Sequence, residues 1–265
     1  MVINKPIVGV AIAIFVLAVG GVYYLRSRNA PLPAAPAAPV SAIPAAPDSG
    51  VVHPLPAAAG NSSASEPLPV LADSDMPLRS ELARISSTDA VKDFLSPQDV
   101  IRKIVVTIDN LPRQKVAVEK RPTTAASGSF AANGDELHAT LDQQNFERYK
   151  PMVAAVNRVD MKQLGAVYVH YYPLFQESYQ NLGYPNGYFN DRLVEVIDNL
   201  LATPEPKQPI ELVRPNVMYT FADPALESRS AGQKLLIRMG PENAKIIKAK
   251  LTELKAAVTA GTLKH

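Results

Sequence analysis

Hydrophobic positions along this chain fall into three regimes. Residues 7–25, IVGVAIAIFVLAVGGVYYL, are nineteen consecutive positions without a charge. At about 1.5 Å per helical residue they span roughly 28 Å, close to the ~30 Å hydrocarbon core of a bilayer. Residues 26–73 show no periodicity. From residue 74 the apolar positions recur every three or four residues, the spacing of amphipathic helices packed on a common core.

In this third regime Asp75 is expected to cap a short helix ending at Ile85, with Pro77 tolerated in its first turn. Ser96-Pro97-Gln98-Asp99 offers a Ser cap, Pro at the first helical position and an acid at N3. Val100, Ile101, Ile104, Val105, Ile108 and Leu111 then mark one apolar face, stopped by Pro112. Residues 113–140 read as irregular, with strands expected at 116–119, 129–131 and 137–140 and a hairpin signal at Asn133-Gly134. A helix from Asp142 toward Val159 is expected to bend or break at Pro151.

Met161, Leu164, Tyr168, Tyr171, Phe175, Tyr179 and Leu182 form the most regular stripe. Asp160 with Gln163 resembles a capping box, Gly183 supplies the stop, and Pro173 predicts a kink or a junction of two helices. Leu193, Val194, Ile197, Leu200 and Leu201 predict the next helix. Strands are expected at 210–213 and 217–221. Asp223-Pro224 starts a helix to about Met239; Gly240 ends it, and Pro241 begins another with Ile247, Leu251, Leu254 and Val258 buried. The fold class expected is mainly α with minor β: about seven helices and one or two short hairpins, in one domain over 74–258 with a tail at 259–265.

Composition sharpens the two N-terminal regimes. Tyr23 and Tyr24 followed by Arg26 and Arg28 suit a membrane–water interface, so residues 7–25 are expected to be a transmembrane helix behind a stub of residues 1–6. A signal peptide cleaved near Ala18-Val19-Gly20 is the rival, but the apolar run continues past that point through Val22 and Leu25. Lys5 opposes Arg26 and Arg28 across the span, while no Lys or Arg occurs between Asn29 and Leu78. That charge-poor stretch favours a cytoplasmic N-terminus and a periplasmic C-terminal domain. Ten prolines and twelve alanines fall between Ala30 and Pro69, with Asp48 and Glu66 as the only charges. Such a stretch favours extended polyproline II conformation and is expected to be an unfolded spacer over 26–73.

The remaining chemistry is sparse. The chain has no cysteine, which excludes disulfides, thiolate nucleophiles and thiolate metal sites. A net charge of +2 over 265 residues provides no basic footprint for nucleic acid. Of four histidines, His53 falls in the spacer and His265 at the terminus; His138 and His170 lack metal-ligand spacing, so no metal is expected. Nucleophile-elbow, P-loop and dinucleotide motifs are missing, and no cofactor is expected.

Three groups stand slightly above this background. Lys234, Arg238, Glu242, Asn243 and Lys245 surround the Gly240-Pro241 junction, where a helix N-terminus could complete an anion or partner site; the plainer reading is a salt-linked helix corner. Six of ten tyrosines fall between Tyr168 and Tyr188. Tyr168, Tyr171 and Tyr179 lie on the stripe and read as core, leaving Tyr172, Tyr184 and Tyr188 as candidate interface aromatics. Asp109 and Arg148 are a candidate buried structural pair, with a catalytic acid at Asp109 as the sharper alternative.

Val106-Thr107-Ile108-Asp109-Asn110-Leu111, Arg148-Tyr149, Leu182-Gly183-Tyr184-Pro185 and Arg238-Met239-Gly240-Pro241-Glu242-Asn243 together resemble an uncharacterised proteobacterial family known only as a domain of unknown function. The resemblance runs from about Leu68 to Val258. It implies an N-terminal anchor, a Pro-rich linker and one C-terminal domain, and no activity. The function expected is therefore that of a bitopic inner-membrane protein presenting a periplasmic interaction or scaffolding module of the cell envelope. Its partners would be the lipid bilayer, through residues 7–25, and an envelope protein. The alternative is an envelope enzyme or glycan-binding protein acting on peptidoglycan through unidentified carboxylates.

Overall fold

The computed structural model describes residues 50–56, 67–86, 98–114, 130–135, 138–215 and 218–259. The transmembrane segment expected at 7–25, the strand at 116–119 and the Ser96 cap lie outside these residues. Among the described residues, no helix is long and apolar enough to cross a membrane.

Among the described residues, eight helices and a four-stranded antiparallel sheet make up the architecture. The helices are α1 (Asp75–Ser86), α2 (Val100–Asn110), α3 (Gln144–Asn157), α4 (Met161–Asn181), α5 (Phe189–Leu201), α6 (Pro224–Glu227), α7 (Ala231–Met239) and α8 (Pro241–Thr259). A 3-10 turn at Leu71–Asp73 precedes them. The strands β1 (Ala132–Asn133), β2 (Ala139–Leu141), β3 (Glu211–Val213) and β4 (Thr220–Phe221) are ordered β1-β2-β3-β4.

The apolar stripes read from the sequence are the core. Val100, Ile101, Ile104, Val105, Ile108 and Leu111 are all buried on α2, and Ile247, Leu251, Leu254 and Val258 on α8. Helix α8 packs against α3, α4, α5 and α7, while α4 also meets α1, α2 and α5. Because α4 is enclosed on several sides, it buries Val167, Tyr172 and Leu174 besides its stripe. A second, smaller cluster lies under the sheet, where Ala139, Leu141, Ile210, Leu212 and Phe221 close on Ile237 of α7.

Several local expectations change in the folded chain. Helices α3 and α4 run unbroken through Pro151 and Pro173. The Asp160 carboxylate does cap α4, accepting from the N–H groups of Lys162 and Gln163. Asp75, by contrast, does not cap its own helix: its two oxygens accept from the N–H groups of Asp99 and Val100, both at 2.8 Å. The start of α2 is thus capped from α1, while Asp99 at its N-cap makes no side-chain cap bond. The helix expected from Asp223 to Met239 is two, because Ser230 starts α7 by accepting from Gln233 N–H. The two hairpins are one sheet, joined where Ala139 pairs with Leu212 and Thr140 with Glu211.

The spacer expected over 26–73 also needs correction. Residues 50–56 lie against the helical head: the N–H groups of Val52 and His53 donate to the two oxygens of Asp191, at 3.0 and 2.6 Å. Asn190 Nδ2 donates to His53 O at 2.8 Å, and Leu55 and Leu68 pack on the core. Averaged composition hid this, because a few leucines and backbone N–H groups suffice to dock a Pro-rich segment.

Candidate functional site

The densest polar constellation among the described residues forms where α2 ends beside α5. Asp109, on the last turn of α2, has a side chain only 4% exposed. Pro112 stops the helix, but Leu111 keeps helical backbone angles, so Arg113 still lies one turn from Asp109. Arg113 Nη2 donates to Asp109 Oδ2 at 2.6 Å and to the Tyr184 hydroxyl at 3.1 Å. Arg192, on the second turn of α5, donates through Nε to Asp109 Oδ1 at 3.2 Å and through Nη2 to the Asp109 carbonyl at 2.8 Å. Its Nη1 reaches Glu195 at 2.7 Å. The Tyr184 hydroxyl completes the set, donating to Asp109 Oδ2 at 3.4 Å.

Two cations and two anions balance here, so the network has no formal net charge. Burial works against the Arg192 charge, but the Glu195 hydrogen bond and the Glu195 and Asp109 charges hold its pKa above the ordinary arginine value. Burial and the Asp109 charge likewise raise Tyr184. A carboxylate gripped by two guanidiniums and a phenol pins α2, α5 and the Tyr184 turn together.

The expected Asp109–Arg148 pair is therefore corrected: Asp109 takes Arg113 and Arg192. Arg148 instead donates to Asn145 Oδ1 at 3.2 Å and lies 6.0 Å over the Tyr149 ring. The i,i+4 spacing of Asp109 and Arg113 was a usable signal, obscured because Pro112 suggested that helical geometry ended first. Arg192 carried no local signal, standing 83 residues from Asp109.

The candidate aromatics separate too. Tyr172 is buried, and its hydroxyl donates to Gln176 Oε1 at 2.8 Å, so it is core rather than interface. Tyr184 and Tyr188 are half-buried; Tyr184 stacks on Tyr179 with ring centres 4.6 Å apart, and Tyr188 tilts on Tyr172 at 5.4 Å. These tyrosines predict alkaline sensitivity. Burial raises Tyr168 and Tyr172 above the ordinary phenol value and pushes Tyr179 up to about 12. Their folded pKa values exceed the unfolded value near 10, so the associated stability is complete below pH ~10 and is lost as pH rises through about 12. Urea midpoints should accordingly fall between pH 9 and pH 11.5, and less steeply in Tyr179→Phe.

The group around Gly240-Pro241 does not converge on one point. Lys234 Nζ is bound to Glu227 Oε1 at 2.8 Å and to the Glu227 carbonyl. Asn243 is buried, and its amide donates to the carbonyls of Phe146 and Met239, both at 2.8 Å. Glu242 and Lys245 are exposed on the first turns of α8, and Arg238 lies over Phe221 with its guanidinium carbon 5.0 Å from the ring centre. Asn243 is a helix staple, and Arg238 faces the sheet rather than the α8 N-terminus.

Sequence reasoning also missed Asn190, which is fully buried at the start of α5. Its Oδ1 accepts from the Tyr168 hydroxyl at 3.1 Å, while its amide donates to Val258 O as well as to His53 O. Asn190 and Asp191 together hold the backbone of residues 52–53. Among the described residues there is no group of three or more His, Asp or Glu side chains placed to hold a metal.

The segments that make these contacts, from α2 to α8, coincide with a family model described as protein of unknown function (DUF3014), which matches residues 100–255. The chain belongs to the DUF3014 family. No curated protein and no solved structure matches it. The match begins at the first residue of α2 and ends inside α8, so the family unit includes the Asp109 network, the Asn190–Asp191 docking point and the sheet. Helix α1 and the docked residues 50–56 precede it, although Asp75 caps the first helix of the DUF3014 unit.

Proposed function

We propose that this DUF3014 protein is a single-pass protein of the bacterial inner membrane, anchored by residues 7–25, whose helical head lies in the periplasm and serves as a protein-interaction or scaffolding module of the cell envelope. The observation that carries this reading is the seat of residues 50–56 on the head. Asp191 and Asn190 hold residues 52–53 through their backbone N–H and C=O groups, a recognition mode that suits polypeptide ligands. The anchor and the Pro-rich stretch support the address: nineteen uncharged residues are long enough to span a bilayer, and the tether holds the head near the membrane.

The test combines topology with capture. A C-terminal alkaline phosphatase fusion is expected to be active, and the matching cytoplasmic reporter fusion silent; the reverse pattern would overturn the periplasmic assignment. A photo-crosslinking residue replacing Tyr184 in the full chain should capture one dominant envelope protein in intact cells. Recovery of only those abundant envelope proteins also captured by a probe placed in the stalk would overturn the scaffold.

A further inference from the structure

Residues 50–56 fill a seat whose polar groups are set by the head itself. Asn190 is fully buried, and the Tyr168 hydroxyl fixes its side-chain carbonyl, which aims the amide at the carbonyls of Val258 and His53. Asp191 stands in the first turn of α5, where the helix dipole favours a carboxylate, and its two oxygens take the successive N–H groups of Val52 and His53. Without an occupant, a buried Asn190 N–H loses its acceptor and Asp191 loses these two donors. Both residues lie inside the DUF3014 unit, whereas their occupant comes from the tether that precedes it.

The contacts specify a class of sequence. All three hydrogen bonds go to the backbone of residues 52 and 53, and the two N–H groups exclude proline from both positions. Next come Pro54-Leu55-Pro56, with Leu55 packed on the core. Pro-Leu-Pro occurs three times in the chain, at 31–33, 54–56 and 67–69, each time in the tether. Leu68 of the last copy also packs on the core, and both described triplets expose the first proline and half-bury the other two residues. The first copy lies outside the described residues. Its sequence from Pro31 to Ala35 is identical to that from Pro54 to Ala58, and Asn29 and Ala30 precede it with both N–H groups intact. Flanking prolines restrict the free backbone of such a leucine, which lowers the entropy lost on binding.

We propose that Asn190 and Asp191 form a binding seat for a polypeptide segment in which two N–H-bearing residues precede Pro-Leu-Pro, and that residues 50–56 occupy it as an internal strap. A partner protein carrying such a segment has to displace the strap, and only the open fraction of the head binds it. Assigning this ligand rests on the interaction reading above, but purified protein tests it, so it fails separately from the cellular capture and the reporter fusions.

The probe is a fluorescein-labelled peptide with the sequence of residues 29–35, titrated by anisotropy into the full chain in dodecyl maltoside. Wild type is compared with Ala30→Pro/His53→Pro, in which both in-chain segments lose the second N–H. The peptide should bind the double variant saturably and at least about tenfold more tightly than the wild type, whose strap competes at high effective concentration. Adding Asp191→Ala to the protein, or Leu32→Ala to the peptide, should weaken that binding by at least about tenfold. In the wild type, excess peptide should speed hydrogen exchange of the Val52 and His53 amides, a readout that stands even if the double variant does not fold. No saturable binding to a folded double variant, equal affinity for the two proteins, or an affinity unmoved by Asp191→Ala would overturn the seat. So would unchanged exchange at Val52 and His53 under excess peptide.

Discussion

Replacing Asp109 by alanine is expected to destabilise the head by about 3–5 kcal/mol, the range for removing one partner of a buried ion pair. The magnitude follows from what remains behind. Arg192, with a side chain 18% exposed, loses both its contacts to the carboxylate while its desolvation persists. Tyr184 and Arg113 lose the acceptor that oriented them. Arg113→Ala provides the contrast: its side chain is 47% exposed, and an ion pair so open to water contributes about 0–1 kcal/mol. Urea unfolding of the two variants and the parent would check this ordering, with Asp109→Ala lowest and Arg113→Ala close to the parent. An Asp109→Ala midpoint equal to that of Arg113→Ala would show that the carboxylate is not what pins α2 to α5. The experiment also bears on chemistry: loss of function in Asp109 variants should track loss of fold.

Gly240→Ala is expected to be comparably severe, at about 3–5 kcal/mol. Gly240 ends α7 with φ of 86°, a backbone conformation that costs a non-glycine residue about 1–3 kcal/mol. An added Cβ would also meet the Phe146 ring, its Cγ only 2.5 Å away. Moving that ring costs on the order of 1–3 kcal/mol more, because Asn243 fixes the Phe146 carbonyl and the turn together. Gly183 separates the two contributions. It too has a positive φ, 111°, but a Cβ there would meet nothing within 4 Å. Gly183→Ala should therefore show only the backbone part, about 1–2 kcal/mol. Thermal midpoints of the two variants measure the difference, and equal losses would mean that Phe146 yields freely.

Much of the head was legible in its sequence because the interactions concerned are local. The stripe from Met161 to Tyr179 is buried as its spacing implies, since residues three and four apart share a helix face whatever the rest of the chain does. Asp160 could be read as a cap because its acceptors serve N–H groups two and three residues on. Tyr172 could not be placed, because one periodic stripe assumes one buried face, and α4 is surrounded by four helices. Asp75 looked like the cap of its own helix for the same local reason, yet its carboxylate serves α2, 24 and 25 residues away.

The candidate sites follow the same division. Lys234, Arg238, Glu242, Asn243 and Lys245 are close in sequence, but successive helical positions point about 100° apart, so the corner sends them to different surroundings. Among the described residues Arg238 stands without an ion-paired carboxylate for a reason that sequence proximity does not contain, namely that Glu227 is used by Lys234 and by β4.

By itself the sequence determined the helices, their buried stripes and the absence of thiol chemistry, because periodicity, capping and composition are properties of short stretches or of the whole count. Tertiary structure alone decided that Asp109 also holds Arg192, that the two strand pairs form one sheet, and that residues 50–56 lie on Asn190 and Asp191. Each of those depends on groups from 71 to 139 residues apart meeting in space. Such meetings are set by how the stripes pack against one another, and no single segment carries that information.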